Sequence, residues 1–265
     1  MKKNHIILAI LFLILAGTSC TKVIDLKLGI DTGKLVIEAN LTDIKGTQTV
    51  KITRNVPFST PNSYPPVSGA TVTITDTNGK SYPFTEGAAG IYSIDSFAGT
   101  YGDGYNLSVS ADGKNYTATS VMPHLVSLDS LTEKKDNYSD KKDRKIITAH
   151  YHDPADIPNQ YRFVMLVNGI EQNAIYADND QINDGRFTGV DLYQGDIEIY
   201  PGDTVTVEMQ CIDKNMFTYW STLAQQQNSG QIGQVVPSDA PTNITPAVLG
   251  YFSAHTSQIK TIIVK

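Results

Sequence analysis

The sequence predicts a mostly β protein in two parts, the second of which carries one amphipathic helix. Three observations point there. Short runs that alternate apolar and polar residues, rich in Val, Ile, Thr and Tyr, recur through residues 33–265; a period of two puts every second side chain on one face of a strand. Turn dipeptides stand between runs, among them Asn78-Gly79, Asp112-Gly113 and Asn168-Gly169, residues that supply the positive φ of tight hairpins. Only near 213–228 does the apolar spacing change to three and four, the repeat of a helix face.

The first segment is expected to be removed before folding. Lys2 and Lys3 precede a continuous apolar run over residues 6–16, about half of the ~20 residues that a helix needs to span a bilayer. Gly17-Thr18-Ser19 then lead directly to Cys20. A basic start, a short apolar stretch and small residues describe a secretory signal over 1–19. A cysteine placed directly after them indicates the lipoprotein type, in which the thiol forms a thioether with diacylglycerol and becomes the new N-terminus. Several acyl chains (palmitate, for example) hold a protein to a membrane far better than one. Residues 20–32 then serve as a tether, and an ordinary secretory signal cut nearby is the alternative.

Residues 33–123 read as an immunoglobulin- or transthyretin-like β-sandwich. Leu35-Val36-Ile37-Glu38-Ala39 and Thr49-Val50-Lys51-Ile52-Thr53 alternate cleanly. The Pro-rich stretch 56–66 that follows must be loop or edge, because proline cannot donate to a ladder. Hairpins are expected across Asn78-Gly79 and Asp112-Gly113, and Met122-Pro123 ends the domain. Charges of both signs crowd residues 124–145, which read as a charged linker or loop.

Residues 146–265 read as a second β-rich domain. Strands are expected over 146–151, 161–167, 187–193, 197–200 and 205–211, then around 249–252 and 259–264. Asp213 can cap a helix whose Met216, Phe217, Trp220, Leu223 and Ala224 share one face. Cys211 falls on the apolar side of its strand and is expected to be a small core residue.

The chain carries a net charge of −6, and loss of Lys2 and Lys3 with the signal would make it −8. An acidic surface repels phosphate backbones and anionic head groups, so no nucleic-acid partner is expected. With Cys20 lipidated, Cys211 has no partner for a disulfide.

Candidate chemistry is sparse. His150 and His152 alternate along one strand face and could meet one metal, whereas Asp153 would point away; with so few other histidines, a polar strand end is the plainer account. Residues 178–185 suggest a calcium loop, but Ile182 and Asn183 stand where an EF-hand needs an oxygen ligand and a glycine; a turn fits better. No Gly-x-Ser-x-Gly, P-loop, Gly-x-Gly-x-x-Gly or His-Glu-x-x-His occurs, so neither an enzyme nor a cofactor is expected. Tyr64 in the Pro-rich loop, with Tyr101 and Tyr105 around Gly102-Asp103-Gly104, are candidate ligand contacts of the stacking kind.

Several phrases resemble the domain of unknown function 4249 family of Bacteroidota outer-membrane lipoproteins. They are Cys20-Thr21-Lys22-Val23-Ile24-Asp25-Leu26, Lys34-Leu35-Val36-Ile37-Glu38-Ala39, the run 65–76, the run 116–123 and Leu249-Gly250-Tyr251-Phe252-Ser253-Ala254. The resemblance implies an envelope lipoprotein found with TonB-dependent receptors, and it brings no catalytic residues. The expected function is a lipid-anchored, non-catalytic binding or scaffolding accessory of outer-membrane nutrient uptake. The alternatives are an adhesin or structural envelope protein without a transport partner, and a hydrolase with a cryptic site.

Overall fold

Strand β1 (Leu35–Thr42) buries Ile37, Ala39 and Leu41 and leaves Glu38, Asn40 and Thr42 half-exposed, the alternation its sequence dictates. The computed structural model describes residues 32–57, 63–229 and 239–265. The expected signal, Cys20 and most of the expected tether lie outside the described residues, as do parts of the Pro-rich stretch and of the connection after the helix. Antiparallel to β1 runs β2 (Gly46–Arg54), which buries Val50 and Ile52. The strands β3 (Thr71–Asp76) and β4 (Ser81–Glu86) are joined through Asn78-Gly79. Gly79 takes φ 82°, and Asp76 Oδ1 accepts from the Asn78 and Lys80 N–H groups at 2.9 and 3.0 Å. After β5 (Ile91–Phe97), β6 (Gly104–Ala111) and β7 (Lys114–Val121) meet at Asp112-Gly113, both of positive φ, as a primed hairpin turn requires. Inward side chains of these strands form one apolar cluster that includes Ile37, Ile52, Ile74, Leu107 and Val109. Each such aliphatic contributes about 1.5–3 kcal/mol by leaving water.

The second part has its own cluster, built around Tyr151, Tyr161, Phe163, Val207 and Met209. It lies on β9 (Lys145–His152), β10 (Gln160–Val167) and β14 (Thr204–Cys211), with shorter strands β11 (Ile170–Glu171), β12 (Tyr176–Asn179) and β13 (Phe187–Leu192) beside them. Two expectations need correction. Leu128–Lys135, inside the charged segment read as linker or loop, is strand β8, paired with β9 in a three-stranded sheet of order β13-β9-β8. Its charged side chains suit an edge strand whose outer face meets water. Residues 197–200, read as a strand, are irregular; Ile199 is nevertheless buried, and its carbonyl accepts from Lys145 N at 3.0 Å. The short β15 (Ile244–Thr245) pairs with β7.

One strand joins the two parts. β16 (Leu249–Ile263) is continuous where the sequence suggested two separate strands. It pairs in parallel with β1 along residues 249–255 and antiparallel with β14 along residues 256–263. The large sheet therefore runs β11-β10-β14-β16-β1-β2-β5-β4-β3-β6-β7-β15, and both parts are built on it. Phe252 and Ala254 belong to the first apolar cluster, and Cys211 and Val264 to the second.

Helix α1 (Lys214–Ser229) packs through a separate cluster formed by Met216, Trp220 and Tyr251. Asp213 caps it as predicted, its Oδ1 accepting from Met216 N at 3.0 Å. Arg162 places its guanidinium 3.7 Å from the centre of the Trp220 ring, a cation–π contact worth about 0.5–2 kcal/mol. Cys211 is a buried free cysteine whose sulfur accepts from Val126 N at 3.3 Å.

Candidate functional site

Two sequence fragments that were read separately come together. Asp153, at the end of β9, is fully buried, and its carboxylate accepts from the Tyr161 hydroxyl and from Gly185 N at 3.3 Å. The turn after β12 brings Asp180 and Asp184 to it: an oxygen of each of the three carboxylates lies within 4.8 Å of the other two. Asp180 Oδ2 also accepts from Asn159 N at 2.6 Å, and Asp184 Oδ1 from Asp156 N at 2.9 Å. Nearby Asp178 accepts from the Tyr151 hydroxyl at 3.3 Å; burial pushes its carboxyl above the usual carboxylate range, and the charge of Asp153 adds to the effect. Three hard oxygens are the donor type that calcium and magnesium take. The hydrogen bonds give the same carboxylates a structural task, pinning the turn 180–185 against the loop after β9. Of the residues 178–185 expected to form a turn, 180–185 do so, while Asp178 and Asn179 close strand β12.

A cleft of about 580 Å³ opens beside the second core, lined by residues 173–176, residues 193–195 and Gln227. Its volume lies within the ~300–1,000 Å³ range of ligand pockets. Hydrogen bonds fix its walls. Gln172 is 4% exposed; its Oε1 accepts from Gly195 N at 3.0 Å and Ile197 N at 3.3 Å, and its Nε2 donates to the Ile197 carbonyl. From the last turns of α1, Gln227 accepts from Ile175 N at 3.1 Å and donates to the Asn173 carbonyl at 2.8 Å. Gln194 accepts from Arg144 and donates to the Lys145 carbonyl. Tyr176 donates to the Tyr193 carbonyl, and burial raises its phenol above the ordinary value, with a further contribution from Asp196. At Gly195 a Cβ would stand 2.4 Å from Asn173 Oδ1 and 2.9 Å from Ala174 N, so the two loops approach more closely than any side chain at 195 allows.

The residues singled out from sequence lie elsewhere. Tyr64 is 46% exposed and Tyr101 56%, the latter with its ring 5.1 Å from that of His124. Tyr105 is instead buried at 3%, and its hydroxyl oxygen accepts from Thr100 N at 2.7 Å. It is a core residue, so the expected tyrosine group divides. His150 bonds Thr132 Oγ1 through Nε2 at 2.8 Å and stacks on Phe187, while His152 is exposed. Neither belongs to a cluster of potential metal ligands among the described residues. Cys20 lies outside the described residues.

Two further arrangements, a buried polar patch on β16 and the cleft itself, have no signal in the sequence. Ser253 Oγ and His255 Nδ1 lie 2.9 Å apart, the contact of a nucleophile–base pair, but each is 2% exposed and neither lines the cleft. Ser257 Oγ and Gln210 Nε2 both donate to Glu208 Oε1 on the same sheet face, at 2.6 and 3.0 Å. The cleft is the other arrangement, built from loops whose order in the chain carries no periodicity.

Among solved structures, the Yersinia pseudotuberculosis adhesin InvE is similar at 24% identity, covering 68% of this chain and 57% of that one, with a TM-score of 0.20. This chain thus spans less than two thirds of that adhesin. No curated protein matches. A family model described as "Domain of unknown function (DUF4249)" matches residues 21–261, most of the chain, and the chain belongs to that family.

Proposed function

We propose that the protein is a lipid-anchored component of the cell envelope whose folded part binds rather than catalyses, acting as an accessory to a TonB-dependent receptor in nutrient uptake across the outer membrane. The observation that carries the binding role is the cleft at residues 173–176 and 193–195, open to solvent and fixed by the Gln172, Gln227 and Tyr176 hydrogen bonds. Pre-organised walls lose little entropy when a ligand arrives. Among the described residues its lining holds no Ser, Cys, His, Asp, Glu, Lys or Arg; of the groups that acid–base and nucleophilic catalysis draw on it has only the phenols of Tyr176 and Tyr193, and that of Tyr176 is committed to the Tyr193 carbonyl.

The anchor follows from the order of Lys2, Lys3, the apolar run 6–16, the small residues and Cys20. Lipid would hold a protein of net charge −8, which has no electrostatic affinity for anionic head groups, at the membrane surface. Purification of a tagged chain from cross-linked outer membranes tests the partner. A TonB-dependent receptor enriched over an unrelated lipoprotein bait is the expected result; equal recovery with both baits would remove the transport role.

A further inference from the structure

We infer that the cleft beside the end of α1 is a saccharide site that takes a neutral sugar unit against Tyr193 and Asn173, an inference that deepens the binding role proposed above by naming its ligand class. The chemistry of the lining selects the ligand. None of its eight residues is charged; they are two tyrosines, three primary amides, two small residues and one isoleucine. The nearest charged side chains are occupied with one another. Lys134 pairs with Asp191 at 2.5 Å, Lys141 with Glu198 at 2.5 Å, and Arg144 with Asp136 at 3.1 Å and Glu198 at 3.5 Å. Asp196 accepts from Asn173 N at 3.1 Å. An anionic ligand would therefore meet no unpaired counter-charge, and its desolvation would go uncompensated; for a cation the cleft offers only the Asp196 carboxylate, already engaged in holding the Asn173 backbone.

A neutral polyol finds what it needs. The Asn173 side-chain amide and the Ala174 N–H have no hydrogen-bond partner among the described residues, while the neighbouring amides of Gln194 and Gln227 each use their oxygen and one N–H in holding the walls. Asn173 thus offers one acceptor and two donors, and Ala174 one donor, on a backbone that the Asp196 and Gln227 hydrogen bonds hold in place. That is the complement of vicinal hydroxyls, each both donor and acceptor. Tyr193 is 48% exposed and stands at the opening, with the 88% exposed Tyr138 ring 6.3 Å from it. A half-buried aromatic gives the C–H edge of a pyranose an electron-rich face while its hydroxyl stays wet. The Tyr193 hydroxyl is also within reach of Asp191, whose carboxyl is lowered below the usual range by its bonds to Lys134 and Thr148 in spite of partial burial.

The test uses the mature full-length chain in a non-glycosidic detergent, so that no sugar head group competes. Binding is measured on an array of neutral oligosaccharides (glucans, mannans, xylans and galactans) alongside anionic ones (polygalacturonate and heparin fragments), then by calorimetry with the best binder. Asn173→Ala and Tyr193→Ala are compared with Ile44→Ala, an exposed apolar residue that does not line the cleft. Neutral glycans are expected to bind, with at least a tenfold loss on Asn173→Ala and Tyr193→Ala, no loss on Ile44→Ala, and unchanged thermal unfolding for Asn173→Ala. Selective binding of the anionic glycans, no binding to any, or equal affinity in all three variants would overturn the inference. None of those outcomes touches the lipid anchor or the receptor, which the cross-linking experiment tests separately.

Discussion

Gly250 sits opposite Ile37 where β16 and β1 run parallel, and a Cβ on it would lie 2.0 Å from the Ile37 carbonyl oxygen. Gly250 also holds φ 99°, a conformation that side chains rarely adopt. This pairing closes the C-terminal strand onto the first one and so ties the two parts into one sheet. Gly250→Ala combines backbone strain of about 1–3 kcal/mol with a backbone clash. The expected loss of stability is at least ~3 kcal/mol, read from the urea midpoint at unchanged m. Gly113→Ala, whose added Cβ meets nothing within 4 Å, should cost markedly less.

Asp213 should matter more than an ordinary helix cap. Its Oδ1 satisfies Met216 N, and its Oδ2 accepts from Ser120 Oγ on β7, so one carboxylate fixes the helix start to the first part. Loss of an N-cap costs about 0.5–2 kcal/mol. Asp213→Ala should fall at the upper end of that range by thermal unfolding, and Asp213→Asn, which keeps an acceptor for Met216 N, should recover most of the loss. Equal destabilisation by both would assign the effect to charge rather than to the cap.

Acid should weaken the fold through His255. Burial holds its imidazole down at about 4, against an opposing pull from Glu208 and a reinforcing push from Arg162. Because the folded value lies below the unfolded one, the unfolded chain binds the extra proton between them. Stability is therefore complete above pH ~6.5 and declines as pH falls towards 4, by about 3 kcal/mol in all. His255→Gln should flatten the unfolding free energy across that window, measured by urea melts at several pH values. An unchanged slope would place the acid sensitivity in the carboxylates.

The thiol of Cys211 should be inert while the chain is folded. Burial raises it above the ordinary cysteine value, although the Val126 N–H donates to the sulfur and partly opposes that shift. In a Cys20→Ala chain it is the sole cysteine. Modification by an aromatic disulfide reagent should be at least ~10³-fold slower in buffer than in denaturant, the ratio set by the rarity of opening. Rapid native labelling would contradict its place in the second core.

Wherever one face of a strand meets the core and the other meets water, the sequence makes the strand legible. β1, β6, β7, β10 and β14 show it, and the Asp112-Gly113 turn and the Asp213 cap were equally local signals. β8 escaped notice because its outward side chains are charged and its partner lies across the turn that follows. The middle of β16 escaped because Ser253, His255 and Ser257 are buried polar residues that satisfy one another and Glu208, so apolar periodicity stops where burial does not. The approach of Asp153 to Asp180 and Asp184 depends on the pairing of β10 with β12, which no local pattern encodes. The cleft was invisible for a related reason. Its shape comes from buried Gln172 and from Gly195, and neither differs in sequence from an ordinary loop residue.

The lipid on Cys20 is what would make this fold an envelope component, and metabolic labelling with a clickable palmitate analogue tests it directly. Label on the wild-type chain in the membrane fraction, absent from Cys20→Ala, is the predicted result. Equal labelling of the two chains, or an unlabelled wild-type chain recovered from the medium with a free Cys20 thiol, would contradict it.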